Sequence, residues 1–324
     1  MKPAVVYGLE NARRSPAPLA LSIGNFDGVH AGHRRILRRV AELAAGRGWI
    51  ASALTFDPHP ARLLHPSRAP RLLSTIAERA AWMGAEGIEQ VIVVSFDLDF
   101  ARLTPEEFVL EVLAGRLNVR AVVVGENFHF GREHSGDIRT LKTFGAARGI
   151  LVEAVPAVRI RGRRVSSSAV RRLIEAGQVS PAWRMLERPY ALSGEVIPGY
   201  GIGSRRTVPT LNLSTQAEVI PARGVYITRT QDLASGRLFP SVTNVGIRPT
   251  FGGHRLAIET HLLDFSGAQA PQSIRVEFLY RLRPERKFPT AEDLKAQILR
   301  DAARAAAYFR RLERCKAASS QPDS

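Results

Sequence analysis

The sequence predicts two architectures in one chain, a doubly wound α/β half followed by an all-β half. Three observations predict them. Short, almost wholly apolar runs alternate with helical patterns up to about residue 187. From Tyr190 onward, short strand-like runs follow one another with Gly, Pro and Ser between them and no helix. A single long amphipathic stripe then closes the chain.

Each element follows from its residues. LALSIGNF, IASALTF, QVIVVSF and RAVVVG show little polar alternation, the mark of strands buried on both faces of a parallel sheet. Between the first two, a helix is expected from about His33 to Gly46. Ile36, Leu37, Val40, Leu43 and Ala44 form its apolar stripe, while Arg34, Arg35, Arg38 and Arg39 face out. The helical pattern SAVRRLIEAG and the stretch PAWRMLERP end this half, which places modules at residues 1–187 and 188–324. ALSGEVI, TLNL, GVYITRT, LFPSVTNVG, LAIETHLL and SIRVEFLYRL suggest an antiparallel barrel or sandwich. Thr290 and Asp293 have capping-box spacing, and Leu294, Ile298, Ala302, Ala305, Phe309 and Leu312 continue one helical stripe. The tail KAASSQPDS is polar and expected to fray.

Composition excludes several classes. The 324 residues are 45% hydrophobic, enough for two ordinary globular domains. No run approaches the roughly 18 apolar residues of a membrane span. The opening MKPAVVYGLENARRSPAP has no apolar core followed by a small-residue cleavage site, so no signal peptide is expected. Cys315 is the only cysteine, which rules out an internal disulfide or a thiolate metal cluster. A cytoplasmic protein is expected. The net charge of +16 attracts polyanions, and a nucleic-acid-binding protein is one reading of it. The arginines are scattered along the whole chain, nucleotide substrates are anions too, and aromatic RNA-reading motifs are missing. No specific nucleic-acid partner, no membrane association and a monomer or weak homo-oligomer are therefore expected.

LSIGNFDGVHAGHRRIL carries the chemistry of the first half. A strand ends at Ile23, a turn follows with Gly24, Gly28 and Gly32, and a helix starts near His33. Glycines let the backbone approach a phosphate, and a helix N-terminus offers N–H groups and a positive dipole end. His30 and His33, three apart at that point, suit charge developing on a pyrophosphate leaving group. Two histidines at a helix start are also ordinary capping or surface residues. The HxGH pattern here resembles the nucleotidyltransferase superfamily, and GNFDGVHxGH resembles the FAD synthetase module of bacterial bifunctional riboflavin kinase/FAD synthetases. TFDPHPARLL, VVVGENFHFGREHSGD and VSSSAVR are similar to further elements of that module. Asn127 stands for Asp, His129 and His134 for Arg, and Ser168 for Thr.

The resemblance implies a Rossmann-like nucleotidyltransferase domain that joins FMN and ATP into FAD and pyrophosphate. Gly24, Asn25, Phe26, Asp27, Gly28, His30 and His33 would form the ATP and phosphate site, with Ser167 and Arg171 adding phosphate contacts. Asn127, Phe128 and His129 would belong to a flavin or nucleotide loop, and Mg²⁺ would bridge phosphates.

In the second half, Thr210 and Asn212 alternate on one expected strand and point to one face. Their hydroxyl and amide oxygens are hard ligands suited to Mg²⁺ carrying ATP phosphates. Glu259 can accept a proton from a substrate hydroxyl. Such residues are also common surface features. VPTLNL, TNVGIRPTF, IETHLLDF and RPERKF, in that order, resemble the riboflavin kinase module of the same family. That module is a six-stranded antiparallel barrel with a C-terminal helix, and it turns riboflavin and ATP into FMN. GSRRTVPTLN departs from the family's GRxLGFPTAN at Ser204, Arg206, Thr207 and Val208, and SGAQAPQS replaces a DLYG-like turn. The resemblance therefore implies a bifunctional enzyme. One alternative keeps only the adenylyltransferase and leaves the barrel a flavin-binding or regulatory module. The other is the basic nucleic-acid-binding protein.

Overall fold

The computed structural model describes residues 2–12, 17–198, 210–250, 253–263, 265 and 270–319. The chain divides into two compact units, Met1–Ala169 and Val170–Ser324.

The first unit is built on six parallel strands: β1 (Ala4–Tyr7), β2 (Leu19–Ile23), β3 (Ile50–Phe56), β4 (Gln90–Val94), β5 (Val119–Gly125) and β6 (Leu151–Val155). Their order across the sheet is β1-β4-β3-β2-β5-β6. β2, β3, β4 and β5 match the expected apolar runs, and most of their side chains are buried because each face of the sheet has its own core. One core sets Leu21, Leu54 and Val122 against the helical residues Val109, Val112 and Leu113. The other sets Ala20, Ala53 and Val123 against Leu37, Val40 and Leu43 of the helix Ala31–Ala45. That helix starts two residues before the expected position, because the His30 side chain caps it.

The strand order decides where a ligand binds. The chain runs from β2 to β3 in one direction and later returns to place β5 on the other side of β2. The order therefore reverses between β2 and β5, and the crevice outside their carboxyl ends is where open α/β sheets take ligands.

The second unit is a closed antiparallel barrel, β10-β13-β12-β11-β14-β9. Its strands are β9 (Tyr190–Ile197), β10 (Leu211–Ser214), β11 (Gly224–Asp232), β12 (Leu238–Thr250), β13 (Gly253–Leu262) and β14 (Ser273–Pro284), the six runs read from the sequence. Closure leaves no unpaired edge. The barrel interior is unexpectedly polar. Thr230, Ser241, Thr228, Thr243 and Thr260 are fully buried and form a continuous hydroxyl chain with links of 2.8, 2.8, 2.8 and 2.9 Å. Each hydroxyl thereby meets the partner that a buried polar group requires.

The helices Val170–Glu175 and Val179–Leu186 pack with this barrel. Ala222 donates its N–H to the Ile174 carbonyl, Ser180 Oγ donates to the Leu279 carbonyl at 2.8 Å, and Trp183 joins an outer apolar cluster. The terminal helix Ala291–Ser319 is capped by Thr290, whose Oγ1 accepts from Asp293 N at 3.1 Å and donates to its carboxylate at 2.8 Å. Ala302, Ala305 and Phe309 of the expected stripe meet Ile227 and Leu279 of the barrel. Leu294 is exposed, and the helix continues to Ser319, within the segment expected to fray.

Candidate functional site

The turn after β2 is held by its own side chains. Phe26, Gly28 and Val29 have φ of 48°, 77° and 36°. A positive φ at a β-branched valine costs free energy and persists only where surrounding contacts impose it. Those contacts converge on Asp27, which is 2% exposed. Its carboxylate accepts from Leu73 N at 2.9 Å and from Ser74 Oγ at 3.1 Å. Gly28 N donates to Ser74 Oγ at 2.9 Å. Arg79, also 2% exposed, donates to the Asn25 carbonyl at 3.2 Å and the Ser74 carbonyl at 3.1 Å, and lies 3.6 Å from Asp27. A buried ion pair of this kind is stable only when hydrogen bonds satisfy its remaining atoms, as they do here.

On this support the two histidines stack, with ring centroids 3.6 Å apart and planes 15° from parallel. Phe26 meets His33 edge-on at 5.2 Å. His30 Nδ1 accepts from His33 N at 3.3 Å, so the ring proton of neutral His30 sits on Nε2. Gly32 suits the same packing: a Cβ there would lie 3.2 Å from His30 Cε1, close enough to displace the ring slightly. At Gly24 a Cβ would meet the Phe26 ring at 3.5 Å, an ordinary contact, so packing does not demand glycine there. Asn25 Oδ1 is buried with no hydrogen-bond partner among the described residues. Such an acceptor suits an N–H or O–H donor of a ligand.

The serine run divides its work. Ser166 Oγ accepts from Ala169 N at 3.2 Å and caps the helix, while Ser167 Oγ donates to the Asp27 carbonyl at 2.8 Å. Arg171 lies one turn further along the helix Ser167–Glu175, in the second unit.

The loop after β5 leaves the sheet beside the turn after β2, because β2 and β5 are paired in parallel. Asn127 and His129 are exposed on it, and Phe128 stacks on Phe130 at 5.6 Å. Phe130 continues through Phe108 and Phe100 to Phe56 and Phe96, a run of rings along this edge. With its amide turned so that oxygen faces Arg164, Asn127 accepts from Arg164 Nη1 at 2.9 Å. Arg79, Ser74 and Arg164 were not singled out in the sequence, because the contacts that give them a role form only in the folded chain.

In the barrel, Glu259 sits opposite Asn212 on one neighbouring strand and Asn244 on the other. Directly opposed residues of antiparallel strands present side chains about 4.5–5.5 Å apart on one face. Their strand neighbour Thr260 points into the barrel, so the Asn212–Glu259–Asn244 row faces outward. Thr210 is exposed just ahead of β10. Residues 203–209 of the variant glycine-rich loop, and residues 266–269 of SGAQAPQS, lie outside the described residues. Asn244 lies within the TNVGIRPTF motif, but sequence reasoning assigned it no role; strand pairing brings it to Glu259. Thr210 and Asn212 carry hard oxygen donors of the kind Mg²⁺ takes, so this pair fits the ion, with Glu259 beside it on the neighbouring strand.

The family model described as FAD synthetase matches residues 12–169, and the one described as riboflavin kinase matches residues 186–309. A bifunctional riboflavin kinase/FMN adenylyltransferase from Pseudomonas fluorescens is 37% identical over 94% of this chain and 97% of its own. The protein of the same description from Escherichia coli K12 is 34% identical over 94% of this chain and 97% of its own. A solved structure described as a macrolide-efflux protein from Streptococcus pneumoniae aligns with TM-score 0.82 at 25% identity, over 93% of this chain and 97% of that one. No described helix here is long and apolar enough to cross a membrane. With both modules matched in order and full-length relatives at this identity, the chain belongs to the bifunctional riboflavin kinase/FMN adenylyltransferase family.

Proposed function

We propose that the outward row of the barrel phosphorylates riboflavin and that the stacked histidine turn adenylylates the FMN so formed. The single observation that carries the first half is the pairing of Asn212 with Glu259. Glu259 accepts the proton of the riboflavin 5′-hydroxyl as its oxygen bonds to the γ-phosphorus of ATP and the bond to the β-phosphate oxygen breaks. Thr210 and Asn212 would hold Mg²⁺ on the ATP phosphates; when bound, the ion neutralises the charge that develops on them.

In the other module, an FMN phosphate oxygen bonds to the α-phosphorus of ATP and pyrophosphate leaves. His30 and His33 donate to the departing phosphates beside the N-terminus of the helix Ala31–Ala45. Asp27 and Gly28 act through the turn rather than on the nucleotide, because their polar groups bond to Leu73 and Ser74. Phe128 offers a ring surface to the isoalloxazine system. Asn127 and His129 are solvent-facing members of the same loop. Arg171 is assigned to phosphate on chain order and its guanidinium chemistry. A boundary at residue 187 keeps Ser167 and Arg171 in one catalytic module. A cytoplasmic monomer or weak homo-oligomer that takes ATP, riboflavin and FMN, and no specific nucleic acid, fits this reading.

The test is direct: purified protein given riboflavin, ATP and Mg²⁺ should yield both FMN and FAD by chromatography. FAD from added FMN but no FMN from riboflavin would remove the kinase half. Asn212→Ala should raise the Mg²⁺ concentration needed for FMN formation and leave that for FAD formation alone.

A further inference from the structure

The segment between β14 and the terminal helix contains a carboxylate, Glu285, whose placement is fixed from both sides. Arg283 binds Asp301 through Nε and Nη2, both at 2.9 Å, and Asp301 is 2% exposed. Arg286 Nη2 donates to Gln297 Oε1 at 2.5 Å, and Gln297 Nε2 donates to Asp301 Oδ1 at 2.9 Å. Both guanidinium groups also lie over the Phe288 ring, at 5.6 and 4.7 Å. Two anchored arginines thus bracket Glu285, which itself has no ion-pair or hydrogen-bond partner among the described residues.

The Glu285 carboxylate rests on Gly246 of β12. A Cβ at Gly246 would fall 2.3 Å from Glu285 Oε1 and 3.1 Å from Asn244 Nδ2, so any larger residue there would push the Glu285 carboxylate away from this position. Gly246 is two residues beyond Asn244 and shares its face. Asn244 is half-buried, and its amide makes no hydrogen bond among the described residues. The outcome is an amide and a carboxylate converging at one point, one strand away from Glu259.

We propose that Asn244 and Glu285 are substrate-binding residues of the kinase site, which take the vicinal hydroxyls of the riboflavin ribityl chain. A hydroxyl carries one donor and two acceptor positions; a carboxylate accepts from it, and an amide N–H donates to it. A polyol lying across this pair places its terminal hydroxyl toward Glu259. The inference rests on the assignment of the kinase site to the Glu259 row, and it adds the flavin's polyol as the feature recognised.

The experiment uses the full chain with Glu285→Gln, Asn244→Asp and Gly246→Ala, and measures FMN formation against riboflavin and ATP separately. Each substitution should raise the riboflavin KM about 10- to 100-fold, the range for hydrogen bonds to charged groups, and leave the ATP KM within about twofold. Lumiflavin, which keeps the ring system and lacks the polyol, should inhibit FMN formation equally in variants and wild type. Far-UV circular dichroism and the thermal midpoint report folding of the barrel in the same samples. An unchanged riboflavin KM for Glu285→Gln and Asn244→Asp overturns the proposal. So does an ATP KM that rises with the riboflavin KM, or weaker lumiflavin inhibition. Full FMN formation by Glu259→Gln would instead displace the site itself, an outcome these KM values do not mimic.

Discussion

The two catalytic regions differ in what supports them. The turn Gly24–Gly32 is bound to its own module by buried groups: Asp27 bonds to Leu73 and Ser74, Arg79 to the Asn25 carbonyl, and Val29 is held at φ 36°. The barrel row is the reverse. The side-chain amides of Asn212 and Asn244 make no hydrogen bonds among the described residues, and regular strand pairing alone sets their spacing against Glu259. A phosphate site made from an irregular turn needs a buried scaffold to hold its strain. A site made from strand residues obtains its geometry from the ladder, and its side chains remain available to substrate. Substitutions in the buried scaffold of the first site should therefore affect stability and activity together, whereas those at the second should affect activity alone.

The largest expected effect is at Glu259. Replacement by alanine should reduce FMN formation about 10²- to 10⁴-fold, the usual contribution of a positioned base, with no change in thermal midpoint. A comparable loss of melting temperature would erase the contrast. Next, His33→Ala should reduce FAD formation about 10²- to 10³-fold, as for loss of one preorganised donor, and leave FMN formation intact. The turn's scaffold comes third. Arg79→Met leaves Asp27 buried and uncompensated, which costs about 3–5 kcal/mol for a pair of this kind. A chemical denaturation curve should show the first module unfolding earlier, with FAD formation failing before FMN formation. The smallest effect is at Gly32, where alanine must displace the His30 ring by a few tenths of an ångström. FAD formation should fall several-fold with little change in stability; an unaltered rate would mean that the histidine stack is not the working geometry.

The comparison also separates what the sequence showed from what it hid. Strands β2, β3, β4 and β5 and the six barrel strands were legible because apolar runs and turn residues are local signals. HxGH was legible because both histidines and their glycine lie within one turn of chain. Asp27 was placed with the nucleotide, yet its carboxylate bonds to residues 46 and 47 positions away, a pairing that only the tertiary fold creates. Arg79 was missed for the same reason. Ser166 and Ser167 are identical in the sequence and opposite in role, since only one lies within reach of the Asp27 carbonyl. Asn244 stood within a quoted motif, but its value comes from register with Glu259, which sequence periodicity does not reveal.

The measurement that tests two separate sites most directly is product analysis of Glu259→Ala and His30→Ala, each given riboflavin, ATP and Mg²⁺ and, separately, FMN. Glu259→Ala should form neither product from riboflavin but convert FMN to FAD, and His30→Ala should accumulate FMN without FAD. If either substitution removes both reactions while the protein stays folded, the two activities share a site and the account is wrong.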